Sequence, residues 1–341
     1  MDKTEYLTAL QNKLKSAGRG NKYSLACCDY ASKLLDSNLP VLFDNRHLAL
    51  ALGISPFDFG RLLYSVDDYC YHEIKIPKKN GSFRTIDIPS VDLKYIQRWI
   101  LDNILNRMHI SDYANGFVKN KSILTNAQNH INSDCIINID LKDFFPTVKF
   151  DQVFSIFKYY GYTKELSYTL AKLCTYRGIL PQGSPASPAI TNIICLKLDK
   201  RLAALSRKYE ATLSRYADDI TFSGRKAIVH LLPYAMDIIR DEGFSVNPDK
   251  TRVAFKHQRQ EVTGLIVNGD SVRVSPKFKK HFRQEIYYCK KYGVKSHLEH
   301  IEDQHSFYKE HMYGQAYFIN MVEPSLGKEL LDLLDSIRWE Y

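Results

Sequence analysis

Residues 213–223 run Leu213-Ser214-Arg215-Tyr216-Ala217-Asp218-Asp219-Ile220-Thr221-Phe222-Ser223. Two short apolar runs, 213–216 and 220–223, meet at two adjacent acids, the pattern of two strands joined by a tight turn. Like charges held in contact raise one pKa unless a cation neutralises them. Alone the string is a weak signal, because a hairpin turn with two solvated aspartates is spelled the same way.

Upstream, Asn138-Ile139-Asp140-Leu141-Lys142-Asp143-Phe144-Phe145-Pro146 repeats the theme, with a short buried strand (135–139) running straight into Asp140. A carboxylate at a buried strand end is costly unless it is paired, hydrogen-bonded or bound to a cation. Asp140 is therefore either a capping or turn aspartate or a ligand. Taken together, three carboxylates at strand ends of one small sheet can hold two Mg²⁺ ions, which prefer oxygen ligands. Two such ions about 3.5–4 Å apart clamp the attacking and leaving oxygens of an in-line displacement at phosphorus, the chemistry of nucleotidyl transfer. A third segment, Leu180-Pro181-Gln182-Gly183-Ser184-Pro185-Ala186-Ser187-Pro188, offers a glycine that lets backbone approach a flat ligand closely. The helix after it presents its N-terminus to an anion. A plain helix-entry loop with proline punctuation has the same composition.

The rest of the chain frames these segments. Residues 1–70 have helical spacing, with one helix over 23–35 and another starting at Ser55–Pro56. Alternation over 73–76 and 83–88 around Lys79-Asn80-Gly81 predicts a β-hairpin, and 91–108 a helix. Helices are expected over 151–160, 164–174, 188–207 and 227–242, short strands up to about 274, and helices beyond. The 341 residues are 45% hydrophobic and 25% charged, which is an ordinary globular composition. A net charge of +9 excludes an acidic disordered chaperone and admits a polyanionic partner. That charge is unevenly placed: 271–297 holds eight Lys/Arg against one acid, and 298–341 holds three against nine. Seven cysteines without a C-x-x-C pair predict reduced thiols in a cytosolic protein. No stretch approaches the roughly 20 apolar residues of a membrane helix, and the first ten residues lack a signal core, so a soluble cytoplasmic chain is expected.

With these segments in this order, the chain resembles a reverse transcriptase, specifically a bacterial retron reverse transcriptase, over about 70–320. The segment around Asp140 is similar to polymerase motif A, LPQGSPASP to motif B, YADD to motif C, and Asn247-Pro248-Asp249-Lys250-Thr251 to motif D. Asn126-Ala127-Gln128-Asn129-His130 resembles the family's N-A-x-x-H segment, and Val262-Thr263-Gly264 its V-T-G segment. The resemblance implies an α+β right-hand polymerase. Its parts would be a helical N-terminal extension (1–70), fingers and an antiparallel-sheet palm with the catalytic site (71–260), and a primer-grip region with a helical thumb (261–341). About 77 residues follow Gly264, little room for a maturase, endonuclease or RNase H region.

The same resemblance implies roles. Asp140, Asp218, Asp219 and the carbonyl of Leu141 would ligate two Mg²⁺ ions, and Lys250 would protonate the pyrophosphate leaving group. Arg84, with Lys78 or Lys79, would hold the triphosphate. Phe145 would gate the sugar 2′ position in favour of dNTPs, and Gln182 and Gly183 would line the nucleotide pocket. The implied partners are a cognate noncoding RNA of msr-msd type primed at a guanosine 2′-OH, its branched msDNA product, and an effector protein acting in anti-phage defence. The rivals are a diversity-generating or abortive-infection reverse transcriptase and a non-catalytic RNA-binding scaffold. The N-A-x-x-H and V-T-G strings argue against the first, and the full set of Asp140, Asp218, Asp219, Gln182 and Lys250 against the second.

Two further features concern nucleic acid. A helix from Ser275–Pro276 would put Phe278 and Phe282 on one face and leave Lys279, Lys280, Arg283, Lys290 and Lys291 to neutralise phosphates. Asn126 and His130, four apart, share a helix face and serve either structure or RNA contact. His297, His300, His305 and His311 fit no zinc spacing and are expected on solvated helix faces. The acidic segment after Leu298 either packs on the basic helix or meets a protein partner.

Overall fold

The computed structural model describes residues 2–77, 81, 83–301 and 307–340. Four helices open the chain: α1 (Lys3–Ser16), α2 (Asn21–Asp36), α3 (Asn45–Ala51) and α4 (Pro56–Tyr69). Ser55 starts α4 by accepting the Asp58 N–H, and Pro56 occupies the first turn, where no N–H is needed. β1 (Tyr71–Pro77) and β2 (Phe83–Pro89) then form the antiparallel hairpin, with Ile76 opposite Arg84. α5 (Val91–Asn103) and the short α6 (Ile123–Gln128) precede β3 (Cys135–Lys142), whose burial on both faces matches its mostly apolar run, interrupted at Asn138.

α7 (Phe144–Thr147), α8 (Phe150–Tyr159) and α9 (Lys164–Cys174) follow. The single helix expected over 188–207 is two helices, α10 (Ser187–Ile194) and α11 (Leu196–Lys208), parted at Cys195, the C-cap of α10. β4 (Thr212–Tyr216) and β5 (Asp219–Gly224) flank the paired acids. The helix expected over 227–242 begins as a 3₁₀ turn, Lys226–Leu231, and becomes α12 (Leu232–Asp241) at Pro233, which the first turn tolerates. β6 (Ser245–Phe255), β7 (Glu261–Val262) and β8 (Leu265–Ile266) lead to the final helices: α13 (Pro276–Tyr292), α14 (Val294–His300), α15 (Tyr308–Val322) and α16 (Pro324–Asp335).

The chain divides into two compact units. The first comprises Met1–Asp112, Leu141–Lys200 and Ile239–Ser245. Its core gathers Leu34, Leu48, Ile96, Ile100, Phe157 and Leu170. Gln97 is buried within it, and its amide donates to Tyr71 Oη and to the Leu173 carbonyl, both at 2.8 Å. One side chain thereby ties α5 to β1 and α9, as a buried polar group must be satisfied.

The second unit comprises Tyr113–Asp140, Arg201–Ile238 and Val246–Tyr341. It holds most of a four-stranded sheet in the order β4-β5-β3-β6, in which β5 runs antiparallel to both β4 and β3. Its apolar cluster joins Phe282 and Ile286 of α13 to Met312 and Ile319 of α15 and Leu330 and Leu334 of α16. All seven cysteines are free thiols. Among the described residues no helix is long and apolar enough to cross a membrane.

Candidate active site

Strand register assembles the acids. Asp140 of β3 stands opposite Asp219 of β5, and Asp219 stands opposite Tyr216 of β4, which leaves Ala217 and Asp218 as a two-residue turn. Such a turn favours φ > 0 at its first central position, usually supplied by glycine. Here Ala217 takes φ +56°, an uncommon conformation for a residue with a Cβ. The neighbours hold it there. Arg215, fully buried, donates from Nη1 to the Ala217 carbonyl at 3.1 Å. Its own backbone is gripped on both sides, the N–H by Tyr113 O at 2.8 Å and the carbonyl by the Asn115 N–H at 2.7 Å. Gly116 lies so close to the turn that a Cβ there would come within 2.5 Å of the Ala217 nitrogen. Neither Arg215 nor Gly116 is singled out by the sequence, yet both fix where the acids point.

Asp140 is only 6% exposed. Its Oδ1 accepts from Asn247 Nδ2 at 3.0 Å and its Oδ2 from Lys250 Nζ at 2.9 Å, both residues of β6. The hydrogen bond to Asp140 raises the Lys250 pKa, with the three aspartate charges adding to it. Lys250, expected as a proton donor, thus rests as the counter-charge of Asp140. Asp219 is pushed up to about 6, first by the protein displacing water from around it and then by the charges of Asp218 and Asp140, against the pull of Lys250. Its surface nonetheless stays open to solvent. Leu141, the next residue of β3, is buried.

Among the described residues no three His, Cys, Asp or Glu side chains converge tightly enough, as arranged, to hold an ion. The donor set still suits a hard divalent cation. It consists of clustered carboxylate oxygens whose burial and mutual repulsion raise the Asp219 pKa, with the Lys250 ammonium paired to Asp140.

The first unit carries the residues expected to hold a nucleotide. The Asp87 N–H of β2 donates to the Gln182 carbonyl at 3.0 Å. Gly183 takes φ +143°, and a Cβ on it would lie 2.4 Å from the Asp87 carbonyl oxygen. The space that glycine leaves is thus filled by the β2 backbone, which corrects the expectation that a ligand needs it. The Gln182–Gly183 loop is pinned to the same strand that carries Arg84, whose side chain is exposed. Lys78 and Lys79 lie outside the described residues. Phe145 is half-buried and packs edge-on to Phe144, with ring centroids 5.6 Å apart.

The structure corrects the reading of Asn126 and His130 as RNA contacts. They are 1% and 0% exposed, so nucleic acid has no access to them. The His130 ring bridges two strands, with Nδ1 2.7 Å from Ser223 Oγ and Nε2 2.7 Å from Ser214 Oγ. One nitrogen donates and the other accepts, as a neutral imidazole does. Burial lowers its pKa to about 4, which keeps it in that form. His130 therefore clamps β4 to β5, the hairpin whose turn carries the acids.

Two of the five basic residues expected on nucleic acid are engaged within the protein. Lys279 Nζ meets both carboxylate oxygens of Glu323, at 3.0 and 2.9 Å, while Glu323 also accepts the Val274 N–H at 2.8 Å. Arg283 Nη2 donates to Glu329 at 3.1 Å. The acidic segment packs on α13, and this settles the first of the two alternatives for it. Lys280, Lys290 and Lys291 remain exposed. His297 is only 5% exposed, against the expectation of a solvated face, whereas His300 and His311 are exposed and His305 lies outside the described residues.

The chain matches the family model for reverse transcriptase (RNA-dependent DNA polymerase) over residues 76–268. It is similar to the retron Mx162 reverse transcriptase of Myxococcus xanthus, 38% identical over 330 residues, covering 85% of this chain and 66% of that one. It is similar to the retron Ec86 reverse transcriptase of Escherichia coli, 35% identical over 311 residues, covering 88% of this chain and 96% of that one. A solved telomerase from Candida albicans, in complex with a fragment of telomeric RNA, aligns with TM-score 0.43 and 13% identity over 78% of this chain and 62% of that chain.

Proposed function

Because the chain belongs to the retron reverse transcriptases, we propose that it is an RNA-directed DNA polymerase that copies a cognate noncoding RNA into branched msDNA. Synthesis starts from a guanosine 2′-OH, and the product works with an effector protein in anti-phage defence in the cytoplasm. The observation that carries this reading is the cross-strand pair Asp140–Asp219 with Asp218 in the turn beside it. Fingers and palm correspond to 71–260 and primer grip and thumb to 261–341, behind the helical extension 1–70.

Asp140, Asp218, Asp219 and the Leu141 carbonyl would hold two Mg²⁺ ions, which supply Lewis-acid stabilisation of charge on the reacting phosphate. The remaining roles belong to the chain itself. Asn247 keeps the Asp140 carboxylate oriented through its 3.0 Å hydrogen bond. Lys250, once released from Asp140, would give its proton to the departing pyrophosphate. Arg84, with Lys78 or Lys79, grips the triphosphate. Gln182 and Gly183 support the nucleotide from a loop that β2 holds still. The exposed part of Phe145 excludes a 2′-hydroxyl. Lys280, Lys290 and Lys291 line the track for the template–primer backbone.

Sequencing the nucleic acid that co-purifies with the protein tests the retron assignment. A single RNA joined to DNA through a 2′ branch supports it. DNA of random sequence, or none, contradicts it and favours another bacterial reverse transcriptase.

A further inference from the structure

α13 ends at Tyr292, and Gly293, at φ +83°, turns the chain directly into α14. Tyr288 and Tyr292 are four apart on α13, as are Ser296 and His300 on α14, so each pair shares a helix face. The turn brings the two faces together around a cavity of about 380 Å³ lined by Tyr288, Tyr292, Ser296, His297 and His300. Its walls are mostly rings. The Tyr288 ring lies 6.1 Å from that of Tyr292 and 5.6 Å from that of His297. Tyr292 is 57% exposed although it is a large aromatic side chain. Lys291 Nζ sits 5.0 Å above the Tyr292 ring and 5.4 Å above that of Tyr287. Lys290 and Lys295 are exposed close by in the chain, against a single acid on α14, Glu299.

We propose that this cavity takes one unstacked nucleobase of the bound RNA, stacked on Tyr292 and Tyr288, with Lys291 and Lys295 on the flanking phosphates. The proposal rests on the reading of the chain as an enzyme that acts on RNA, and it adds a site remote in sequence from the carboxylates. Three features select a base over other small planar groups. The volume is that of a site for one small ligand. Aromatic faces bind any base, while Ser296 and the imidazole of His300 supply donors and acceptors for its edge. Cations beside aromatic rings are the arrangement that tracks single-stranded nucleic acid. The charges also agree, because Lys279 and Arg283 are spent on Glu323 and Glu329 whereas Lys291, at the end of α13, and Lys295, at the start of α14, flank the turn that forms the cavity.

The test places 2-aminopurine in the loop of an RNA hairpin and follows its fluorescence and the hairpin's affinity on titration with the full-length protein. Stacking in the cavity quenches the fluorophore. Tyr292→Leu, which keeps bulk but loses the π face, should abolish the quench and weaken binding about tenfold, and Tyr292→Phe should restore both. An abasic loop should bind wild type as weakly as the normal loop binds the leucine variant. A DNA hairpin of the same sequence shows whether the sugar matters: equal binding assigns recognition to the base, and tighter RNA binding assigns the 2′-hydroxyl a share. If Tyr292→Leu quenches and binds like wild type, the cavity is not a base site. Nucleotide incorporation by the unsubstituted protein is scored separately. Incorporation without base capture overturns only the cavity, and base capture without incorporation overturns only the polymerase.

Discussion

His130 offers a prediction in which the structure sets both sign and size. The imidazole is fully buried, hydrogen-bonded through both nitrogens to Ser214 and Ser223, and its pKa falls from 6.5 to about 4. In the unfolded chain it titrates at the ordinary value. The folded state therefore refuses a proton that the unfolded state accepts between those two values. Stability from this group is complete above pH 6.5 and is lost as the pH falls toward 4, by about 3 kcal/mol at about 1.4 kcal/mol per pH unit. His130→Gln removes the titration but keeps an amide able to reach one hydroxyl. At pH 7 it should cost about 1–2 kcal/mol, the net loss of one buried hydrogen bond. Urea unfolding of both proteins from pH 7 to pH 4.5 measures the difference. Wild type should lead at pH 7, and the lead should shrink through pH 6 and vanish or reverse near pH 5. Asp219, whose raised pKa acts in the opposite sense, is common to both chains and cancels. A lead that does not change with pH, or an NMR titration of His130 near 6.5, would refute the neutral clamp.

Two further outcomes follow from contacts at the site and on the basic helix. Gly183→Ala should destabilise the first unit by about 2 kcal/mol or more, because the new Cβ meets the Asp87 carbonyl at 2.4 Å in a strained backbone. It should also raise the KM for dNTPs more than it lowers kcat, and wild-type stability and KM would show that the loop is not pinned. Lys280→Ala should reduce the slope of log affinity against log salt by nearly one for a template–primer duplex. Lys279→Ala should leave that slope unchanged and lower stability instead, since Lys279 is held by Glu323; salt titrations of both variants compare them.

Much of the fold was legible because it obeys local rules. Ser55 and Pro56 announce α4 through capping, alternation announces β1 and β2, and the mostly apolar run 135–139 announces a buried strand. The turn that carries Asp218 and Asp219 was legible for the same reason, since a strand pattern flanks it on both sides, whereas the register that sets Asp219 opposite Asp140 is seen only in the structure. What escaped depends on partners far away in the chain. Lys279 and Glu323 are 44 residues apart, so the sequence shows two charges and not an ion pair. The i, i+4 spacing of Asn126 and His130 defines a face but not whether it turns inward. Arg215 was passed over because a charged side chain is expected at the surface, and its hydrogen bond to the Ala217 carbonyl shows it serving the turn from inside the protein. Gly183 signals the need for no side chain, but it does not name the β2 carbonyl that imposes the need.

The most direct test of the central claim is dNTP incorporation on an RNA template with Mg²⁺, comparing wild type with Asp218→Asn/Asp219→Asn at equal folded fraction. The account predicts extension by wild type and a loss of about a thousandfold or more in the double variant, as expected when several kcal/mol of charge stabilisation is removed. Extension by the double variant at the wild-type rate would contradict it.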